Sequence, residues 1–260
     1  MTTAVLPRSL EKALKFRRKL AARQPVYGAW STLGSADVAY LMARAGLDYL
    51  IVDLEHGAGS IDGLRAQVLA LEHFDTAIIV RLPDHSAGAI KRILDTGASG
   101  LLAPCVDDAE QARSIMSSAL FAPEGQRGVA VGAITAADYG YEAESYFANA
   151  NEAITVFLQV ESPQAIDNLP EMLKEERVDG FFVGPNDLSA ALGVFRDYEC
   201  DIFQSALHSI LSQVKASGKL AGCLPFPGKS SEQLQMEGIA LAPGGSDQAF
   251  LRNGAMSLLR

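Results

Sequence analysis

A chain of 260 residues, 48% of them hydrophobic, is long enough to bury a large core and suits one (β/α)8 barrel or two smaller domains. A formal net charge of −9 argues against a nucleic-acid surface, and the basic cluster Arg17-Arg18-Lys19, with Lys12, Lys15 and Arg23 nearby, reads as the solvated face of one helix. Cys105, Cys200 and Cys223 lie far apart without C-x-x-C spacing, which indicates neither a disulfide framework nor a thiolate zinc site; charges spread over Met1 to Arg23 and the lack of a long apolar run imply no signal or membrane segment, so the expected compartment is the cytoplasm.

In chain order, Glu11–Ala22 predicts an extra N-terminal helix, followed by a strand at Val26–Trp30, a helix at Ala36–Ala45 and a strand at Tyr49–Asp53. A helix at Ile61–His73, a strand at Ala77–Arg81, a helix at Ala87–Asp95, a strand at Gly100–Ala103 and a helix at Asp107–Ser118 continue the alternation. The run from Ala122 to Asn151 breaks it. Rich in glycine and carrying Tyr139, Tyr141 and Tyr146, it reads as a functional or interfacial segment, with a surface excursion capped by a short helix at Tyr141–Asn149 as the alternative. Strands at Thr155–Gln159 and Gly180–Val183, a helix at Asp201–Ser217, strands at Leu220–Cys223 and Ile239–Leu241, and a last helix at Ser246–Leu259 complete the pattern. Apolar runs buried on both faces and joined by helical crossovers imply a parallel sheet, and eight such units predict a single (β/α)8 TIM barrel spanning residues 1–260.

Four of these strands end in polar groups, at the rim where such folds gather ligands and catalytic side chains. Tyr49-Leu50-Ile51-Val52 runs into Asp53-Leu54-Glu55-His56, Ile78-Ile79-Val80 into Arg81, Val156-Phe157-Leu158 into Gln159 and Glu161, and Phe181-Phe182-Val183 into Gly184-Pro185-Asn186-Asp187. Glu161 and Asp187 beyond two different strands suit the oxygen shell of Mg²⁺ or a similar hard ion, although either alone could be an exposed or helix-capping acid. Arg81 offers a two-pronged donor to a carboxylate or enolate oxygen, with a structural ion pair to a neighbouring strand's Asp as the alternative. His56, the histidine beside acids at a strand end, is the candidate base; His73 and His208 fall in helical contexts and His85 lies near the entrance. No His-x-x-x-His spacing, G-x-G-x-x-G or Walker pattern occurs, and none of the predicted strands has an interior lysine for a Schiff base.

The motifs Asp53-x-Glu55-His56, Val80-Arg81, Leu94-Asp95-x-Gly97-Ala98, Pro123-x-Gly125-x-Arg127-Gly128, Gln159-Val160-Glu161-Ser162 and Gly184-Pro185-x-Asp187-Leu188-Ser189 together resemble the HpcH/HpaI aldolases, the class II pyruvate aldolases, over nearly the whole chain. The resemblance implies a metal-dependent aldolase that reversibly cleaves a 4-hydroxy-2-keto acid to pyruvate and an aldehyde through a metal-stabilised enolate, with Mg²⁺, Mn²⁺ or Co²⁺ on Glu161 and Asp187. It further implies that Gln159, Asn186, Asp187 and Arg81 bind substrate, that Arg81 steadies the enolate, and that His56 is the base, made more basic by Asp95. Asp53 and Glu55 are expected in support, orienting His56 or metal-bound water. A homo-oligomer, trimer or hexamer, built with swapped C-terminal helices is implied too. Leu54 and Ala103-Pro104-Cys105-Val106 depart from the family's usual pattern, as do Leu82-Pro83-Asp84-His85-Ser86 and Pro243-Gly244-Gly245-Ser246-Asp247, loops that leave the aldehyde partner open. The rival readings are an oxaloacetate decarboxylase or macrophomate-synthase-like lyase on the same metal site, and a non-enzymatic scaffold or small-acid sensor.

Overall fold

The computed structural model describes residues 5–259. In chain order these form α1 (Arg8–Ala21), β1 (Gly28–Ser31), α2 (Ala36–Arg44), β2 (Tyr49–Asp53), α3 (Ile61–Ala70), β3 (Ala77–Arg81), α4 (Ala87–Asp95), β4 (Gly100–Ala103) and α5 (Ala109–Ala119). A 3-10 helix at Thr135–Gly140 and α6 (Ala143–Ala153) lead into β5 (Thr155–Val160), α7 (Pro163–Met172), β6 (Gly180–Val183), α8 (Pro185–Ala191), α9 (Asp201–Ala216), β7 (Leu220–Cys223), α10 (Ser231–Met236) and α11 (Asp247–Ser257). All seven strands are parallel and pair in sequence order, β1 to β7.

Period-two alternation sends the strands' buried residues into two clusters, one on each face of the sheet. Leu50, Val52, Ile78, Val80, Leu101, Val156, Leu158, Phe181 and Val183 pack outward against the helices. Trp30, Tyr49, Ile51, Ile79, Leu102, Phe157 and Phe182 gather on the other face, around which the sheet curls, and Phe16 and Leu20 of α1 close that cluster from below. Inward glycines make room for inward rings: a Cβ on Gly28 would stand 2.4 Å from the Tyr49 ring, and one on Gly222 would stand 2.3 Å from that of Phe182. Ser35, Ser60, Ser86, Ser162 and Ser246 each accept a backbone N–H at a helix start, so the crossover helices begin where the sequence punctuates them.

The predicted eighth strand, Ile239–Leu241, is reduced to single bridges. Leu241 pairs with Gly222 and Ser246 with Trp30; Ala240 donates to the Ala221 carbonyl at 2.8 Å on one edge, and Gly244 to the Gly28 carbonyl at 2.8 Å on the other. Pro243 has no N–H to give a ladder, and the glycines after it favour a bend, so no longer pairing develops. The fold is therefore α/β and TIM-barrel-like, built on a curled seven-stranded parallel sheet. The first strand starts at Gly28 instead of Val26, and the third helix ends at Ala70 instead of His73.

The Ala122–Asn151 segment departs most from a simple loop. It leaves α5 at the amino-terminal rim of the sheet, because each crossover helix carries the chain back from the carboxyl rim. There Arg127 is fully buried, stacked 4.5 Å over Phe121 and paired with Asp95 at 2.7 Å. Tyr146 is buried on the same arginine, Tyr139 bonds to Arg65, and Tyr141 is exposed. Within the chain the three tyrosines thus stand at the rim opposite the candidate site. No described helix is long and apolar enough to cross a membrane.

Candidate active site at the carboxyl rim

Inward parity decides which polar residues meet. Asp53, Arg81 and Gln159 continue the inward series Ile51, Ile79 and Phe157, and the β2–β3 register sets Asp53 opposite Arg81. The guanidinium grips Asp53 with both prongs, Nε to Oδ1 at 3.0 Å and Nη2 to Oδ2 at 2.6 Å, reaches Glu55 through Nη1 at 3.0 Å, and rests 4.7 Å over the Trp30 ring. Asp53 Oδ1 also accepts the N–H groups of Glu55 and His56, so one buried carboxylate both folds the tight turn after β2 and aims Arg81. Burial pushes the Asp53 carboxyl up, but the hydrogen bonds and charge of Arg81 outweigh it and hold it below the usual carboxylate range. Arg81 is kept charged: burial works against it, and Asp53, Glu55 and Glu161 more than compensate.

Glu161, one residue past β5, is buried and accepts the Cys105 N–H on Oε2 at 3.1 Å and the Gln159 amide on Oε1. Cys105 holds left-handed backbone, φ 52°, to turn that N–H inward, and burial followed by the charge of Glu161 pushes its thiol up to about 11. The Glu161 carboxyl is itself pushed up, first by burial, with the negative charge of Asp187 adding to it. The two acids converge over Gly184: a Cβ there would stand 2.7 Å from Glu161 Oε1 and 3.3 Å from Asp187 Oδ2. Among the described residues neither acid has a cation within salt-bridge distance, and the buried Gln159 Oε1 beside them has no partner. Two oxygen donors crowded together with no ion pair of their own, over a cradle that a side chain would fill, fit a hard divalent ion. No cluster of three or more His, Cys, Asp or Glu occurs among the described residues, so water or substrate oxygens would complete the shell.

His56 stands at the mouth, its side chain 69% exposed and Nε2 3.9 Å from Glu55 Oε2. Asp95 does not reach it. As the last residue of α4, Asp95 belongs to the amino rim and is spent on Arg127, so the expected partner of His56 is not supplied within the chain. Asn186 and Asp187 sit exposed in the first turn of α8, placed there by Pro185 at its start. A cavity of about 610 Å³ opens beside Arg81 and His56 and runs past Trp30 and Leu224 to Gly244-Gly245-Ser246. Gln248 and Ala249 line its far end, while Asp247 faces away, accepting the N–H groups of Thr32 and Leu33 and the Thr32 hydroxyl. His85 bonds the Pro104 carbonyl at 2.6 Å, tying the β3–α4 loop to the turn that carries Cys105. Trp30, Cys105 and Gly184 join the site without a chemical signature of their own in the sequence; of the three, inward parity marks Trp30.

The HpcH/HpaI aldolase/citrate lyase family model matches residues 10–254. The chain belongs to that family. A 5-keto-4-deoxy-D-glucarate aldolase of Escherichia coli O6:H1 is 36% identical over 245 residues, 94% of each chain. An HpcH/HpaI aldolase/citrate lyase family protein from Burkholderia cenocepacia superposes with a TM-score of 0.88 at 30% identity, over 95% of this chain and 98% of that one. At the level of fold alone, so does a citrate lyase beta subunit from Mycobacterium tuberculosis complexed with oxaloacetate and magnesium, TM-score 0.55 at 20% identity, over 88% and 93%. As an HpcH/HpaI protein the chain is an enzyme of the class II aldolase kind, a carbon–carbon lyase.

Proposed function

We propose that this aldolase cleaves a 4-hydroxy-2-keto acid of the keto-deoxy-aldarate class to pyruvate and an aldehyde, with Mg²⁺, Mn²⁺ or Co²⁺ held by Glu161 and Asp187. The observation that carries the reading is the uncompensated pair of carboxylates over Gly184, with the Arg81 fork beside it. The E. coli relative's name supports the substrate class. The segment Ala240–Ser246, bonded to both sheet edges, is read as the eighth stave of a (β/α)8 barrel covering the chain, and the exposed apolar face of α11, with Phe250, Leu251 and Met256, as a contact of a homo-oligomer.

When bound, the divalent ion supplies Lewis-acid polarisation of the keto oxygen. The chain's own residues do the rest. Gln159 and the first turn of α8 orient the keto acid. His56, directly or through water, takes the proton of the C4 hydroxyl as the C3–C4 bond breaks; the hydroxyl becomes the aldehyde carbonyl, and the bond's electrons pass to pyruvate as its enolate. Arg81, whose terminal nitrogens keep N–H groups beyond those given to Asp53 and Glu55, meets the developing negative oxygen, and return of the proton taken by His56, directly or through water, to C3 releases pyruvate. Glu55 stands where Asp95 was expected, as the carboxylate nearest the His56 ring within the chain.

The test is pyruvate release from a panel of 4-hydroxy-2-keto acids and oxaloacetate by chelator-treated protein, before and after adding each metal. Metal-restored cleavage of a hydroxy-keto acid is expected. Activity on oxaloacetate alone would replace the reading with a decarboxylase, and no activity on any member would overturn it.

A further inference from the structure

Asn186 is exposed and lies next to Asp187, yet the chain holds it from two sides. The turn joining α8 to α9 folds back on it. Arg196, in left-handed backbone at φ 60°, donates its N–H to Ser189 Oγ at 3.1 Å, and that hydroxyl donates to the Asn186 carbonyl at 2.9 Å. The Tyr198 hydroxyl donates to Asn186 Oδ1 at 2.5 Å. Tyr198 is 5% exposed and fixed in turn, its ring 5.3 Å from that of Phe203 and 5.1 Å from that of Phe226, while its carbonyl accepts from Gln204.

An exposed amide needs no such anchor, since water satisfies it. The anchor selects an orientation. With Oδ1 accepting from the phenol, the amide turns its two Nδ2 hydrogens outward; turned over, with Nδ2 donating to the phenol oxygen instead, it would set a carbonyl dipole's negative end beside Asp187 and an anionic substrate. We propose that Tyr198 is a positioning residue that locks Asn186 donor-outward, so that Nδ2 binds a carboxylate oxygen of the keto acid. This deepens the aldolase reading and rests on it for the identity of the ligand.

Tyr198→Phe removes the hydroxyl and keeps the ring contacts with Phe203 and Phe226. Its KM for the cleaved keto acid is expected to rise about three- to tenfold, the worth of one hydrogen bond, with kcat within about twofold and the melting temperature little changed. Asn186→Ala should raise KM at least as much, and the double variant should be no worse than Asn186→Ala, because Tyr198 acts through Asn186. Multiplying effects in the double variant, or an unchanged KM in Tyr198→Phe, would overturn the proposal. Independently of turnover, the Asn186 side-chain amide pair, assigned in ¹⁵N spectra by its loss in Asn186→Ala, should shift on Tyr198→Phe and, in the wild type with Mg²⁺, on adding pyruvate. An amide blind to Tyr198→Phe sinks the locking, and one blind to pyruvate sinks the carboxylate contact. A wild type inactive on every keto acid whose amide still responds to both would instead refute the aldolase reading alone.

Discussion

The two rims of the sheet handle buried charge in opposite ways. At the amino rim, acids meet cations of the same chain: Asp179 pairs with Arg17 at 2.8 Å, Asp48 with Lys19 at 2.5 Å and Asp95 with Arg127 at 2.7 Å, and α1 lies across them as a plug. At the carboxyl rim, Asp53 is matched by Arg81, but Glu161 and Asp187 are left crowding one another. Desolvating an unpaired carboxylate is costly, so a fold that neutralises its acids at one end and leaves Glu161 buried without an ion pair at the other, beside the exposed Asp187, has kept that place for a ligand of opposite charge. Closed pairs hold the plug in place, and the open pair marks the chemistry.

Substitutions that sharpen this contrast rank by expected size. Glu161→Gln removes an oxygen anion from the open pair; a loss of several kcal/mol of electrophilic assistance, roughly a thousandfold in kcat/KM, is expected in steady-state assays with little loss of thermal stability. Arg81→Lys keeps the charge but not the fork, so the enolate donor and the double grip on Asp53 both fail, and kcat should fall about a hundredfold. At the closed rim the signs reverse. Arg17→Ala leaves Asp179 with the Val156 N–H as its hydrogen-bond donor and no ion pair; an unfolding free energy lower by about 3 kcal/mol, the low end for a buried pair because Arg17 is part-exposed, should accompany turnover per folded molecule within about twofold.

The smallest effect concerns Lys12, on the buried face of α1 with Nζ on the Leu71 carbonyl at 2.8 Å. Burial lowers its pKa from 10.5 to about 8. Between those values the unfolded chain holds a proton that the folded chain has lost, so this group makes stability rise with pH there; below about 8 both states are charged and its cost is constant. Lys12→Met should therefore stabilise the protein by about 1–2 kcal/mol at pH 7, and the advantage should shrink as pH climbs from about 8 to 10.5 in denaturant titrations. A pH-independent difference would contradict the assignment.

Much of this was legible beforehand, for physical reasons that also say where legibility stops. Strands apolar on both faces, such as Tyr49–Asp53, Ala77–Arg81 and Gly180–Val183, have the bounds expected of them, because a buried parallel strand tolerates polar residues only at its end. The eighth segment misled because Ile239-Ala240-Leu241 is apolar, while the residues that deny it a ladder, Pro243 to Gly245, come after it. The link between Asp95 and His56 comes from the family resemblance alone; each crossover helix reverses the chain, which within one chain places the two at opposite rims. The Tyr198–Asn186 contact had no periodic signature, since it depends on how an irregular turn folds back.

The most direct test of the open pair is a Mn²⁺ titration of chelator-stripped protein followed by electron paramagnetic resonance, on the wild type and on Glu161→Gln, with and without pyruvate. The account predicts a single Mn²⁺ site per chain, tightened by pyruvate and weakened more than about tenfold in Glu161→Gln. Equal Mn²⁺ affinity in the two proteins would show that the bare carboxylates hold no ion, and would remove the metal from Glu161.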